Sequence, residues 1–366
     1  MKKLFTLATL GLLSSLAFEA QAQITVDGKV TAAEIGTGTG KYQLAGTYTG
    51  THSVATKGLQ SLYIGTSATK LYIMVVGSAE SATDYPGIVV YLNVPNKTGV
   101  AAGTQLKGGV AGDSPLKHTP TMDMETDYGF RATTSPSASA DVYYSYVDYT
   151  NGNTAPVPDT YQGSSTKTGA PLTASATSGP VLGAKFAYLS SATVTAAATA
   201  GSGLEMELDM TALGITTGSR INLMAAYVKD GGVFSSDVIP QIVGQTADLG
   251  SSPNFAATTS PGSQNATYVV GTGVLAGRNQ VAQALNFQVY PNPAKANTTV
   301  AYNVQGGLQD VSLAVYNSMG QLVRSVAAEK QTAGDHEYKL ANLSAGAYLV
   351  KLEVGGQLTS RKVVVE

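Results

Sequence analysis

The chain is 366 residues long with a formal net charge of −2, and charged residues make up only 13% of it. Soluble domains usually carry roughly a quarter, so the charge balance offers no electrostatic case for nucleic acid or an anionic membrane surface. There is no cysteine, which excludes disulfide staples and thiolate nucleophiles or metal ligands. With 41 glycines and abundant Ser, Thr and Ala, the composition is that of an extracellular β-protein standing on burial alone.

Met1-Lys2-Lys3 gives a positive start and residues 4–16 form an apolar run too short to span a bilayer comfortably. Ala20-Gln21-Ala22 is a small-x-small cleavage site. Residues 1–22 therefore read as a secretory signal peptide. No later apolar run is long enough for a transmembrane span.

Residues 23–273 read as one large antiparallel β-sandwich of short strands cut by Gly, Asn, Asp and Pro turns. Residues 62–66 and 71–76 form a hairpin across Ser67-Ala68-Thr69, and residues 88–94 are apolar on both faces, suited to the middle of a sheet. Residues 204–210 alternate strictly, which predicts Leu204, Met206, Leu208 and Met210 inward and Glu205, Glu207 and Asp209 outward. Residues 221–228 and 233–239 make a further hairpin across Asp230-Gly231-Gly232. A short strand follows at Tyr268-Val269-Val270, and residues 274–286 are a linker with a helical option at 279–284.

Candidate sites lie within this stretch. Sugar rings offer C–H faces to stack and hydroxyls to hydrogen-bond, so a sugar site needs aromatic rings beside polar groups. The densest supply is residues 141–149, where Tyr144 and Tyr146 share one face of a strand with Asp148, and Tyr143 and Tyr149 share the other with Asp141. Asp123, Glu125 and Asp127 recur at spacing two and, on a strand, would line three carboxylates for Ca²⁺; a solvated acidic face fits the same pattern. Together with the acids of residues 205–209 they also admit a glycosidase reading, although alternation explains them without chemistry. Gly36 to Lys41 fails as a phosphate loop, because Tyr42 stands where Ser or Thr is required. His52, His118 and His336 have no metal-ligand spacing, and no Ser-His-Asp order is favoured.

Ile24-Thr25-Val26-Asp27-Gly28-Lys29-Val30, Lys70-Leu71-Tyr72-Ile73 and the Glu-bearing strand before Ala212-Leu213-Gly214 resemble DOMON-like sandwiches related to family 9 carbohydrate-binding modules. The resemblance implies a jelly roll and a glycan ligand. Those modules build their sugar platform on tryptophan, and this chain has none, so the fold carries over more readily than the site.

Residues 287–366 alternate as about seven short strands, a small Ig-like sandwich, with Asn317-Ser318-Met319-Gly320 and Gly355-Gly356 as turns. Tyr290-Pro291-Asn292-Pro293, Gly320-Gln321-Leu322-Val323, Gly346-Ala347-Tyr348 and Arg361-Lys362-Val363 resemble the type A C-terminal sorting domain of the type IX secretion system. That resemblance makes Pro291, Asn292, Pro293, Gly320, Gly346, Tyr348, Arg361 and Lys362 the sorting motif and the type IX machinery a partner. It implies export to the outer cell surface of a Bacteroidota-type bacterium, and leaves open removal of the domain with attachment of the remainder to surface lipopolysaccharide.

The sequence thus points to a secreted, surface-delivered, non-catalytic binding protein with a glycan as first ligand, no nucleic-acid partner and no cofactor beyond the calcium option. A structural or adhesive surface protein without a small ligand is the alternative, followed by a secreted glycoside hydrolase.

Overall fold

The structure is a computed structural model and describes residues 24–109, 115–154, 157–257, 263–275, 285–295, 297–304, 308–355 and 357–366. The expected signal peptide and the helical option at 279–284 lie outside the described residues.

The N-terminal part contains β1 (Gln43–Thr47), β2 (Gly58–Thr66), β3 (Lys70–Ser78), β4 (Gly87–Asn93), β5 (Tyr128–Thr134), β6 (Asp141–Asp148) and β7 (Asp159–Thr166). It continues with β8 (Leu172–Thr173), β9 (Lys185–Tyr188), the short helix α1 (Val194–Ala200), β10 (Gly203–Asp209), β11 (Arg220–Lys229), β12 (Val233–Ile239), β13 (Ala266–Val269) and β14 (Gly273–Leu275). One sheet runs β1-β2-β3-β10-β9-β8; the other runs β14-β13-β11-β4-β5-β6-β7, with β12 also paired to β11. The strand pairs are antiparallel, as in the β2/β3 hairpin where Ile64 faces Ile73 and in β11/β12 where Lys229 faces Val233.

The main core lies between the two sheets, where Leu62, Ile73, Val75 and Met206 of the first meet Val90, Phe130, Tyr144 and Leu223 of the second. As its apolar run predicts, β4 sits inside the second sheet, between β11 and β5. Its other face is covered too: Val89 and Tyr91 pack with Leu106, Leu116, Met122, Met124 and Phe255 from long loops.

The outer face of the first sheet is likewise covered, and this overturns one expectation. Ile24, Val26, Val30 and Tyr42 pack on Tyr72, Met74 and Val76, so the acids of β10 do not all face solvent. Glu205 is fully buried and Glu207 nearly so; Asp209, at the strand end, stays partly exposed and pairs with Lys70 at 3.0 Å. Glu205 instead ties down the N-terminal turn. Its Oε2 accepts the N–H groups of Asp27 and Gly28, both at 2.8 Å, and its Oε1 accepts the Tyr42 hydroxyl at 2.8 Å. Gly28 has φ +72°, and a Cβ there would lie 2.5 Å from Leu189 N, so only glycine allows the turn to approach β10's neighbours.

The C-terminal part has its own core, built from Phe287, Val300, Val315, Leu340, Val350 and Val363 among others. Its seven strands are β15 (Gln288–Tyr290), β16 (Thr298–Val304), β17 (Gln309–Asn317), β18 (Leu322–Gln331), β19 (Gly334–Leu340), β20 (Gly346–Val354) and β21 (Gln357–Val365). They form a three-stranded sheet β15-β16-β19 and a four-stranded sheet β18-β17-β20-β21. Alternation is obeyed in β16, where Val300, Tyr302 and Val304 are buried between half-exposed neighbours. The motif residues act locally. Asn292 donates from Nδ2 to Lys362 O and accepts from Val364 N, both at 2.9 Å, clasping the opening segment to β21. Arg361 donates to Phe287 O at 2.5 Å and lies over its ring, while the Tyr348 hydroxyl donates to Ser344 O at 2.8 Å.

Candidate functional site

β6 carries the tyrosine-rich run, and its two faces have different fates. Val142 and Tyr144 point into the main core, where Tyr144 stacks on Phe186 with centroids 5.3 Å apart. Tyr146 follows on the same face, half-buried against Phe130. Tyr149 begins a 3₁₀ turn and is buried among the loops outside the sheet. Tyr144 and Tyr149 therefore cannot stack on a ligand: both rings fill core. Asp148 is likewise taken, accepting from the Thr150 N–H at 2.9 Å and its hydroxyl at 2.6 Å, and Asp141 accepts from Ser139 Oγ at 3.1 Å.

Tyr143 remains half-exposed on the outer face, and two other tyrosines join it. Tyr161, on the edge strand β7, is 54% exposed and Tyr85, just before β4, is 41% exposed. The register brings them to one corner: Tyr143 faces Thr133, which faces Gly87, two residues beyond Tyr85; Ser145, next on the same face, pairs with Tyr161. Burial first, then the charges of Asp141, Tyr85 and Tyr161, raise the Tyr143 phenol above its ordinary pKa. Most other tyrosines of this part are buried, so the corner is a local exception.

Beneath the corner the outer face is polar. Arg131 of β5 lies 3.4 Å from Asp159 of β7 with both side chains largely buried, and its guanidinium also donates to Thr133 Oγ1. Among the described residues Arg131 Nε, both Asp159 oxygens, Ser145 Oγ and the Tyr149 hydroxyl, all buried, make no hydrogen bond. Such unmet capacity under exposed rings is unusual, because buried polar groups are ordinarily satisfied.

The acidic row is not gathered into a metal site. Residues 121–127 contain only isolated bridges at Thr121 and Thr126, not a strand, and each acid turns to a different partner. Asp123 accepts from Gln264 N and from Asn265 Nδ2, and Glu125 accepts from Gly99 N. Asp127 is buried and accepts from Val94 N at 2.7 Å. Burial pushes its carboxyl up to about 6, with Glu125 and Asp148 adding to the shift. Among the described residues no three His, Asp or Glu side chains come together to hold a metal.

One constellation had no signal in the sequence. His52 Nδ1 lies 2.5 Å from Asp237 Oδ2, across 185 residues. Asp237 is 1% exposed and also accepts from Leu59 N at 2.9 Å and Ser236 Oγ at 2.8 Å; Tyr48 stacks on the imidazole. Among the described residues no Ser or Thr hydroxyl bonds the other ring nitrogen. Tyr85 and Tyr161 were missed for a simpler reason: each is a lone tyrosine in a polar stretch, and β7 reads as a weak, almost wholly polar segment.

Residues 288–366 match the family described as the secretion system C-terminal sorting domain, and no curated protein matches the chain. Among solved structures, a short form of the sensor domain of the anti-sigma factor RsgI4 from Pseudobacteroides cellulosolvens is 16% identical, covering 22% of this chain and 96% of its own, with a TM-score of 0.16. Dimeric latent PorU from Porphyromonas gingivalis is 13% identical over 81% of this chain and 31% of its own, with a TM-score of 0.19. The FN1–FN3 domains of chicken CNTN1 are 10% identical over 82% and 95%, with a TM-score of 0.17. At these scores the three establish neither a common fold nor a shared role. The sorting domain does establish a destination: the protein is exported by the type IX secretion machinery, with which it interacts, and is secreted or held at the outer cell surface. Among the described residues no helix is long and apolar enough to cross a membrane.

Proposed function

We propose that the N-terminal sandwich is a non-catalytic binding module that holds a glycan on the outer corner formed by Tyr85, Tyr143 and Tyr161. The observation that carries this reading is the exposure of Tyr85 (41%) and Tyr161 (54%) beside the half-exposed Tyr143, above the buried Arg131–Asp159 ion pair. Exposed aromatic rings supply the apolar faces on which pyranose C–H groups stack, and their hydroxyls and neighbouring polar groups orient the sugar. Delivery to the cell surface, where polysaccharides are met, supports the same reading. A hydrolytic role has less in its favour, since Glu205 is committed to backbone N–H groups and the Tyr42 hydroxyl.

The test is retention of the purified full-length chain by a panel of insoluble and immobilised polysaccharides, comparing wild type with Tyr161→Ala and Tyr143→Ala. Retention by at least one glycan class, lost in both variants while their melting temperatures stay within a degree or two of wild type, is the expected result. No retention across the panel would leave a structural or adhesive surface role as the better reading.

A further inference from the structure

Beside the tyrosine corner is a cleft of 490 Å³ whose polar lining includes Lys57, Glu80, Asp84, Tyr227, Lys229 and Asp230. That volume falls within the range of small-molecule sites. Several of these charges are already used. Glu80 is paired with Lys167 at 2.8 Å, and Lys229 with Asp248 at 2.7 Å. Lys57 donates to Ala192 O at 2.6 Å. Among the described residues Asp84 and Asp230 have no cation: Asp84 accepts from Ser81 Oγ, and Asp230 from the N–H groups of Gly231 and Tyr85. Two unpaired carboxylates thus stand against the one unpaired ammonium of Lys57, leaving the cleft net negative.

An independent feature marks the same place as a binding site. Tyr227 is 3% exposed and lines the cleft, yet among the described residues its hydroxyl makes no hydrogen bond, and it is not sealed from the cleft. Asp237, Asp84, Asp248 and Glu80 all act on this phenol, adding to the burial that already raises its pKa. Glu80 Oε1 is also without a partner. The lining therefore has an excess of acceptor oxygens, among them the lone pairs of the Tyr227 hydroxyl, which is also a donor.

We infer that this cleft binds a primary ammonium group, and, resting on the glycan reading above, that the group belongs to an amino sugar unit at one end of the bound glycan. An ammonium brings three donors and no acceptor, which answers Tyr227 Oη, Asp84 and Asp230 together; an acetamide or a hydroxyl brings fewer donors and no charge. An anion is disfavoured by the surrounding carboxylates. The route from corner to cleft is short. Asp84 and Pro86 line the cleft, and Tyr85 between them donates its N–H to Asp230 at 3.4 Å. A sugar stacked on Tyr85 would place its neighbour at the cleft mouth.

The experiment is calorimetric titration of the full-length protein near pH 6 with glucosamine, N-acetylglucosamine, glucose and chitosan oligosaccharides. Wild type is compared with the Asp84→Asn/Asp230→Asn double variant, Tyr227→Phe and Tyr161→Ala; the two aspartates are exposed, so the double variant keeps its core. Glucosamine should bind at least about tenfold more tightly than N-acetylglucosamine and glucose, and the double variant should lose that preference. Chitosan oligosaccharides should bind more tightly than glucosamine, with Tyr161→Ala removing only that gain. Equal binding of glucosamine and N-acetylglucosamine, no binding of glucosamine, or a double variant that binds like wild type would overturn the inference. If the amine preference is absent while Tyr161 still governs retention on neutral glycans, the cleft falls and the corner stands. If glucosamine binds through Asp84 and Asp230 while Tyr161 affects no glycan, the ammonium site stands without the corner.

Discussion

Glu205 sets two physical effects against each other, and its substitution by glutamine decides between them. The carboxylate accepts three hydrogen bonds at 2.8 Å, which favours ionisation. It is also fully buried, and no cation among the described residues pairs with it, which favours the neutral acid. Burial wins, pushing the group from 4.5 up to about 7. At about 1.4 kcal/mol per unit, that difference corresponds to roughly 3 kcal/mol. Because the folded value lies above the unfolded one, the folded state holds a proton that the unfolded state has released between these pH values. The stability contribution is therefore fully present below pH 4.5 and is lost as pH rises through about 7. Glu205→Gln keeps the shape and cannot titrate: its Oε1 can accept from Asp27 and Gly28 while its amide donates to a rotated Tyr42 hydroxyl. Urea denaturation at pH 5 and pH 8.5, read on the transition that the substitution moves, should show the variant gaining roughly 3 kcal/mol on wild type between the two. Glu205→Ala, by contrast, strands three donors, two of them buried, at about 1–3 kcal/mol for each buried one and should unfold or lose at least about 3 kcal/mol at both. A Glu205→Gln minus wild-type difference that stays constant within about 0.5 kcal/mol would refute the reasoning. The three donors would then have held the carboxylate ionised despite its burial.

Other substitutions test the remaining structure. Gly58→Ala would place a Cβ 1.8 Å from Asp237 Oδ2 and 2.9 Å from His52 Nδ1 at φ +131°; a loss of about 3 kcal/mol or more is expected, and an unchanged melting temperature would contradict this packing. Tyr144→Ala should lose about 3–5 kcal/mol as a core deletion, whereas Tyr161→Ala should stay within about 0.5 kcal/mol and lose glycan retention, a contrast read by denaturation and pull-down side by side. Asn292→Ala removes both contacts to β21, so the sorting domain should lose about 1–3 kcal/mol and the fraction of protein reaching the outer surface should fall; normal export with a destabilised tail would separate folding from recognition.

Much of the fold was legible because a strand's period of two is written directly in the residues. Val300, Tyr302 and Val304, the β2/β3 hairpin and the β11/β12 hairpin all follow from alternation and turn chemistry, and the motif of the last eighty residues also named their destination. Alternation divides a strand into two faces without saying what covers each. For β10 the acids read as solvent-facing, but residues 24–42 return over that face and bury Glu205. For β6 the same rule correctly separated Tyr143 from Tyr144, and only the opposing sheet decided that Tyr144 fills the core. The corner of Tyr85, Tyr143 and Tyr161, the cleft around Tyr227 and the His52–Asp237 pair were beyond the sequence because each joins residues from separate strands or loops. The sequence alone determined the strands and the export signal. Burial across sheets, and the registers that bring distant residues together, decided which side chains were left at the surface to bind.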